Sequence, residues 1–293
     1  MSETAIDSQV LREAQLVMLR ILKQVDIICR ENQIPYWLDA GTLLGAVRHQ
    51  GFIPWDDDVD ICMLRSDYEK FLKIAPPLLP AELFLQNFYT DPYCIHNFSK
   101  IRDENSRFVD ANEQNGQICY HQGIYIDIFP VDKLSTQRWV RYFWRNVVIK
   151  KVYTLCSIIV RYCQRPLKRP WHRNLLKNFR TIIIKKLFGK FKFPNLCTAA
   201  AIERLLRRFA TIQSQQPEGF VLGYGLGLPL KSVHTYETVF PLKELLFEDA
   251  TFFVPNNWDQ YLRDIYGDTY MQLPKEEARR TPHAIQIIPS LNK

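Results

Sequence analysis

Trp55-Asp56-Asp57-Asp58-Val59-Asp60-Ile61-Cys62-Met63 places four carboxylates within five residues, directly before an apolar run. From Asp58 to Met63 polar and apolar side chains alternate, as in a half-buried strand, so Asp56, Asp58 and Asp60 are expected on one face. Carboxylates this close repel one another and raise each other's pKa values unless a cation neutralises them. A solvated acidic loop is the commoner fate of an Asp run, but Trp55 and the apolar partners carry this one into a core strand. All-oxygen ligands favour Mg²⁺ or Mn²⁺ over zinc or copper. An EF-hand loop is excluded, because counted from Asp56 its sixth and twelfth positions hold Ile61 and Asp67 instead of Gly and Glu.

Upstream of this run, Val10, Ala14, Val17, Met18, Ile21, Leu22, Val25 and Ile28 repeat at the spacing of one helical face, predicting an amphipathic helix over 9–31. Tyr36-Trp37-Leu38 reads as a short strand, Gly41-Thr42 as a turn, 42–48 as a short helix and 51–55 as a loop. Downstream, Ser66-x-x-Glu69 has the form of a capping box opening a helix that ends before Pro76-Pro77. Strands are expected over 83–88, 98–102 and 123–129. The last contains Asp127 among apolar neighbours, where an ionised carboxylate is costly unless it is paired or metal-bound. As an N-cap or the partner of a buried Arg it would be structural. With Asp58 and Asp60 it completes the three-carboxylate set used for phosphoryl and nucleotidyl transfer on two metals.

The remainder divides by charge. Residues 133–202 hold 17 Lys and Arg and no acidic residue, leaving 21 basic against 31 acidic residues elsewhere, in a chain of net charge +7. Residues 138–213 look helical, with breaks at Pro166, Pro170 and Pro194. Trp139, Tyr142, Phe143, Trp144 and Trp171 sit among its basic residues, the composition of a helix lying on an anionic membrane surface; a solvated helical insertion and a patch for a polyanionic acceptor such as a phosphate-rich glycan are the alternatives. No apolar run is long enough to span a bilayer. RNA-recognition signatures are absent, so nucleic acid is not expected as a partner. Gly223-Tyr224-Gly225-Leu226-Gly227 is not a dinucleotide fingerprint and reads as a flexible loop. Asn256 or Asn257 should cap a helix through Tyr266, stopped by Gly267, after a strand over 251–254. With 293 residues, 47% of them hydrophobic, the chain is neither disordered nor a disulfide miniprotein. Its seven dispersed cysteines and polar N-terminus, without the features of a secretory signal, point to a reducing cytoplasm.

Leu38-Asp39-Ala40-Gly41-Thr42-Leu43-Leu44-Gly45, continuing through Arg48-His49 and Phe52-Ile53-Pro54-Trp55 to Asp60, resembles the LicD family, which includes fukutin-like proteins. The resemblance continues in Lys100-Ile101-Arg102-Asp103, in Tyr125 to Asp132, and in Tyr266-Gly267-Asp268-Thr269-Tyr270. It implies an α+β fold: a polymerase-β-like nucleotidyltransferase core, with a mixed sheet flanked by helices, and a basic, mainly helical insertion. The corresponding division is a catalytic core over 1–132, the insertion over 133–213, and a part completing the core over 214–293. Two departures from the plain nucleotidyltransferase pattern, Thr42 in the turn and the long loop to Asp58, agree with LicD-like proteins.

What the resemblance implies for function is transfer of a phosphorylated alcohol from a CDP-activated donor to a hydroxyl of a cell-surface glycan, such as lipopolysaccharide, capsule or teichoic acid. Phosphocholine from CDP-choline is the favoured donor; the fukutin branch uses CDP-ribitol. Asp58, Asp60 and Asp127 would hold two Mg²⁺ (or Mn²⁺) ions, with Asp127 also assisting deprotonation of the acceptor. Gly41 and Thr42 would form the donor-binding turn, Lys100 and Arg102 would clamp the diphosphate, and Arg48 and His49 would close over the donor. A choline headgroup would call for aromatic faces, with Tyr36, Trp37, Trp55, Tyr120 and Tyr125 nearby. The expected setting is cytoplasmic and peripheral at the inner face of the cell membrane, with a lipid-linked acceptor and residues 133–202 on the anionic surface. The alternatives are a nucleotidyltransferase adding NMP to an acceptor and a catalytically silent membrane adaptor.

Overall fold

Leu11, Ala14, Met18, Ile21, Leu22, Val25 and Ile28 fall on one face of helix α1 (Ser8–Glu31) and are all buried. Asp7 caps this helix by accepting from the amides of Gln9 and Val10. The structure, a computed structural model, describes residues 6–87, 89–91, 94, 96, 98–110, 120–142, 219–225, 232–281 and 283–291. After α1 come β1 (Trp37–Leu38), α2 (Ala40–His49), β2 (Asp60–Leu64), α3 (Arg65–Ile74), β3 (Leu83–Gln86), β4 (Ser99–Asp103), β5 (Arg107–Asp110), β6 (Tyr125–Ser135) and α4 (Arg138–Tyr142). The chain is described again through β7 (Phe220–Tyr224), α5 (Tyr236–Val239), β8 (Lys243–Phe247), β9 (Ala250–Val254), α6 (Trp258–Tyr266) and β10 (Ala284–Ile288).

A mixed sheet organises these elements, in the order β1-β2-β6-β4-β3, with β7 also on β6. β2 and β6 run parallel, while β1, β3, β4 and β7 join antiparallel. β6 is the central strand: its first half pairs with β4 and its second half, Val131 to Ser135, with β7. Helices flank the sheet, α1 against β4 and β6, α2 against β2, and α3 against β2 and β6. Two hairpin-sized sheets, β5 with β10 and β8 with β9, complete the described structure.

Several sequence expectations need correction. The Ser66-x-x-Glu69 capping box does not form: the helix begins at Arg65, and its preceding residue, Leu64, makes no side-chain cap. β2 begins at Asp60, so Asp56 to Val59 approach the sheet as a loop instead of lying in the strand. β6 continues through Pro130, whose carbonyl accepts the Gly225 amide at 2.7 Å. Gly223 and Tyr224 belong to β7, not to a loop. Of the expected 138–213 helical segment, residues 138–142 form α4, and 143–213 lie outside the described residues.

Candidate active site

Strand register assembles the carboxylates. Asp60 on β2 lies opposite Asp127 on β6, Asp127 opposite Lys100 on β4, and Lys100 opposite Gln86 on β3. Directly paired residues share a face, so two carboxylates, an ammonium and an amide form one row across four strands. Local bonds fix where the row begins. The Asp60 amide donates to Thr42 Oγ1 at 2.8 Å, the Asp39 amide to the Asp60 carbonyl at 3.0 Å, and the Asp127 amide to the Val59 carbonyl at 2.8 Å. Thr42 therefore ties the first turn of α2 to the start of β2. Gly41 leaves room for Asp56, since a Cβ there would stand 2.7 Å from its Oδ2.

The loop before β2 is held by the far end of the chain. Asp57 is fully buried, and its Oδ2 accepts the amides of His283 at 3.1 Å and Ala284 at 2.6 Å, while its Oδ1 is buried without a hydrogen-bond partner. His283 Nε2 lies 3.2 Å from Asp58 Oδ2. One ligand atom each from Asp57, Asp58 and His283 can lie within 4.8 Å of the others, the grouping that is this tight among the described residues.

Charge in this region is unbalanced. Burial, then Asp58 and Asp57, push the Asp56 carboxyl up to about 8. Burial pushes Asp57 up to about 6 against the pull of the two amides. Asp60 is raised by burial and by Asp58 and Asp127, and Asp127 by burial against the opposing pull of Lys100. The hydrogen bond to Asp58 raises His283 to about 9. Packed oxygen donors that resist ionisation, one of them orphaned, suit a hard divalent cation, which would relieve the repulsion that burial creates. These residues fit Mg²⁺ or Mn²⁺.

The other expected residues divide. Lys100 is buried in the row, its Nζ 2.6 Å from Asp127 Oδ1 and 3.4 Å from the centre of the Tyr125 ring. Arg102 is also buried, but its guanidinium is used internally, donating to Gln86 Oε1 and the Gly123 carbonyl. Arg48 donates to the carbonyls of Tyr270 and Gln272 at 3.0 and 3.2 Å, and burial lowers its pKa. It pins the loop after α6. His49 packs edge-on to Trp55, and burial, then Arg48, lowers its pKa. The expected aromatic faces do not converge: Tyr36 is sealed in the core with its hydroxyl on Asp26, and the Tyr125 ring already carries Lys100 and Arg102.

Sequence reading missed Asp39 and His283. Asp39 is fully buried before α2, with Oδ1 accepting from Tyr261 at 2.8 Å and Oδ2 from Tyr224 and from the Cys62 thiol. Its partners lie on β2, β7 and α6, and no local pattern announces such a network. His283 lies just before β10, and only the β5/β10 pairing brings it to Asp58.

Residues 33–156 match the family model described as LicD/FKTN/FKRP, nucleotidyltransferase domain. The chain is 29% identical over 292 residues to the lipopolysaccharide cholinephosphotransferase LicD of Haemophilus influenzae, covering 94% of this chain and 96% of that protein. It is 44% identical over 107 residues to an uncharacterized protein of Rickettsia prowazekii, 33% of this chain and 38% of that protein. A stretch of 34 residues is 53% identical to the human ribitol 5-phosphate transferase FKRP, 12% of this chain and 7% of that protein.

Proposed function

From a chain that carries a LicD-family nucleotidyltransferase domain, we propose transfer of a phosphorylated alcohol from a CDP-activated donor, CDP-choline favoured, to a hydroxyl of a cell-surface glycan. The observation that carries this reading is the row Asp60–Asp127–Lys100 on adjacent strands, with Asp58 two residues upstream. The near full-length likeness to a lipopolysaccharide cholinephosphotransferase supports the choice of alcohol and acceptor. We read the sheet as a polymerase-β-like core, in which Gly41-Thr42, expected as a turn, lie in the first turn of α2, and Asp60 and Asp127 stand on the parallel neighbours β2 and β6.

Asp58, Asp60 and Asp127 would hold Mg²⁺ or Mn²⁺, which when bound supplies positive charge to the donor diphosphate and to departing CMP. Lys100 adds a fixed positive charge beside that position, oriented by the Tyr125 ring and Asp127. Since Oδ1 of Asp127 is given to Lys100, its other oxygen is the one left for the cation or the acceptor's proton. Arg102 and Arg48 act through the frame, the first bracing β3 against Gly123 and the second anchoring residues 270–272. Among the described residues no helix is long and apolar enough to cross a membrane. Attachment to an anionic surface through residues 133–202 is part of the proposal, and flotation with anionic and neutral liposomes at low and high salt tests it.

The deciding measurement is Mg²⁺-dependent CMP release from CDP-choline, CDP-ribitol, CDP-glycerol and CDP-ethanolamine, beside pyrophosphate release from NTPs. CMP from at least one CDP-alcohol is expected. Pyrophosphate alone would make the protein a nucleotidyltransferase, and no turnover together with no Mg²⁺ binding would make it an adaptor.

A further inference from the structure

Two pins hold the chain between α6 and β10 beside the carboxylate site. At its start, Arg48 at the end of α2 donates to the carbonyls of Tyr270 and Gln272. At its far end, Asp57 accepts the amides of His283 and Ala284, and His283 meets Asp58. Between the pins lies one 3₁₀ turn, Glu276–Ala278, and Arg279 follows it. Arg279 is half-buried: its Nε donates to the Pro274 carbonyl at 2.9 Å, and its Cζ stands 5.5 Å from the centre of the Trp55 ring. Trp55 directly precedes Asp56, so this guanidinium lies at the rim of the acidic loop.

The other cations expected at the site are committed elsewhere. Arg102 is enclosed against Gln86 and Gly123, Lys100 is bonded to Asp127, and Arg48 serves its two carbonyls. The Nη atoms of Arg279 make no hydrogen bond or ion pair among the described residues. Its charge does reach Arg48, which is lowered by burial and further by Arg279, against the opposing pull of Tyr266 and Asp56. Two guanidinium groups in Coulomb reach, neither in an ion pair with a carboxylate among the described residues, repel each other until an anion joins them. A guanidinium laid on an indole is held in place with its planar fork open, and that fork matches two phosphate oxygens. Arg280, next in the chain, is exposed, lies over no aromatic ring among the described residues, and turns its Nε back to the Glu277 carbonyl.

We propose that Arg279, held on Trp55, binds the diphosphate of the donor, the role expected of Arg102. The assignment rests on the CDP-alcohol reading for the identity of the donor, while the anion site is measurable without turnover. It divides the work: the carboxylates hold the cation, and the segment before β10 supplies a fixed positive charge that they cannot.

The full chain with Mg²⁺ is titrated calorimetrically with CDP, and kcat and KM are measured on the CDP-alcohols of the turnover assay. Arg279→Gln should weaken CDP binding by about tenfold or more and raise KM for the donor to the same extent, with kcat within about threefold. Arg279→Lys, which keeps the charge without the fork, should recover part of the loss. Arg280→Gln removes an equal charge one residue away and should stay within about twofold. Mg²⁺ affinity should stay within about twofold in both Gln variants, which separates a lost anion contact from a damaged cation site. Arg279→Met keeps the aliphatic packing on Trp55 and should show the same loss, so it decides the matter if circular-dichroism melts show the Gln variant unfolded. CDP binding unchanged in a folded Arg279 variant, or weakened equally by Arg280→Gln, overturns the assignment, and continued CMP release at wild-type KM then leaves the transfer reading intact. Arg279-dependent CDP binding without CMP from any donor sustains the anion site and removes the transfer reading.

Discussion

Along α1, Arg12 meets Glu248 at 2.6 Å, Lys23 meets Asp249 at 2.7 Å, and Arg30 meets both Asp26 and Glu244. At the approach to β2, Asp56, Asp57, Asp58 and Asp60 gather with Asp127, and the cations paired with this group among the described residues are Lys100 and His283. The first region matches charge with charge at the surface, where each pair contributes at most about 1 kcal/mol. The second leaves negative charge in excess where burial makes it costly. Buried charge in excess without a counter-ion marks a binding site more often than a structural one, so the imbalance, rather than any single residue, is what points to the proposed site.

The contrast breaks if the acidic region proves dispensable. Asp60→Asn should reduce CMP release by at least about 10³-fold while the metal-free protein melts no lower than wild type, because a ligand is lost and a repulsion relieved. Asp58→Asn with Asp127→Asn should be no worse than either alone, since ligands of one cation act as a unit. Asn is preferred to Ala at Asp127 because Ala would strand the buried Lys100 ammonium, a defect costing about 3–5 kcal/mol by itself. Turnover near wild type in any of these variants would assign the carboxylates to structure.

Two glycines of α2 sharpen it. At Gly45 a Cβ would stand 2.5 Å from the Gly51 carbonyl oxygen, a backbone atom that cannot swing away, so Gly45→Ala should cost about 1–3 kcal/mol in a urea melt. At Gly41 the obstacle is the end of the Asp56 side chain. Gly41→Ala should therefore leave stability nearly unchanged and lower turnover by about tenfold or more, as Asp56 is displaced.

The two regions should also respond to pH with opposite sign. In the folded state Asp56 and Asp57 titrate near 8 and 6, above their ordinary value of 3.8, so their contribution is fully present below about pH 4 and is lost as pH rises through 6 and 8. With EDTA, Tm should fall between pH 5 and pH 8, Asp56→Asn should flatten the fall, and Mg²⁺ should reverse it. Glu248 is lowered chiefly by its hydrogen bond to Arg12, so the stabilisation of that pair is present above its ordinary 4.5 and is lost as pH falls. Arg12→Ala should cost less than about 1 kcal/mol at pH 7, because its side chain is 47% exposed, and nothing measurable once Glu248 is protonated. Parallel pH profiles for the two regions would remove the distinction.

What the sequence disclosed follows from what is local. The α1 face, the Asn257 cap and Gly267 stop of α6, and the carboxylates of one loop and two strands are periodic or adjacent in the chain, and all were legible. Arg102 and Arg48 were legible as cations near the motifs, but not as cations already engaged, because their acceptors are carbonyls and an amide set by tertiary folding. β5 and β10 escaped notice because each is short and its partner lies at the other end of the sequence. His283 and the Asp39 network were invisible for the same reason, and they join the candidate site only through contacts between distant segments.

β6 does not end where its acidic residue does. It runs on to Ser135, which pairs directly with Phe220 at the start of β7, so residues 136–219 leave and re-enter the sheet at one point. The entropy of closing such a loop grows only logarithmically with its length. The chain between those two residues can therefore change in length at small entropic cost while β6 and β7 keep their register. Natural variation and circular permutation should both be concentrated there.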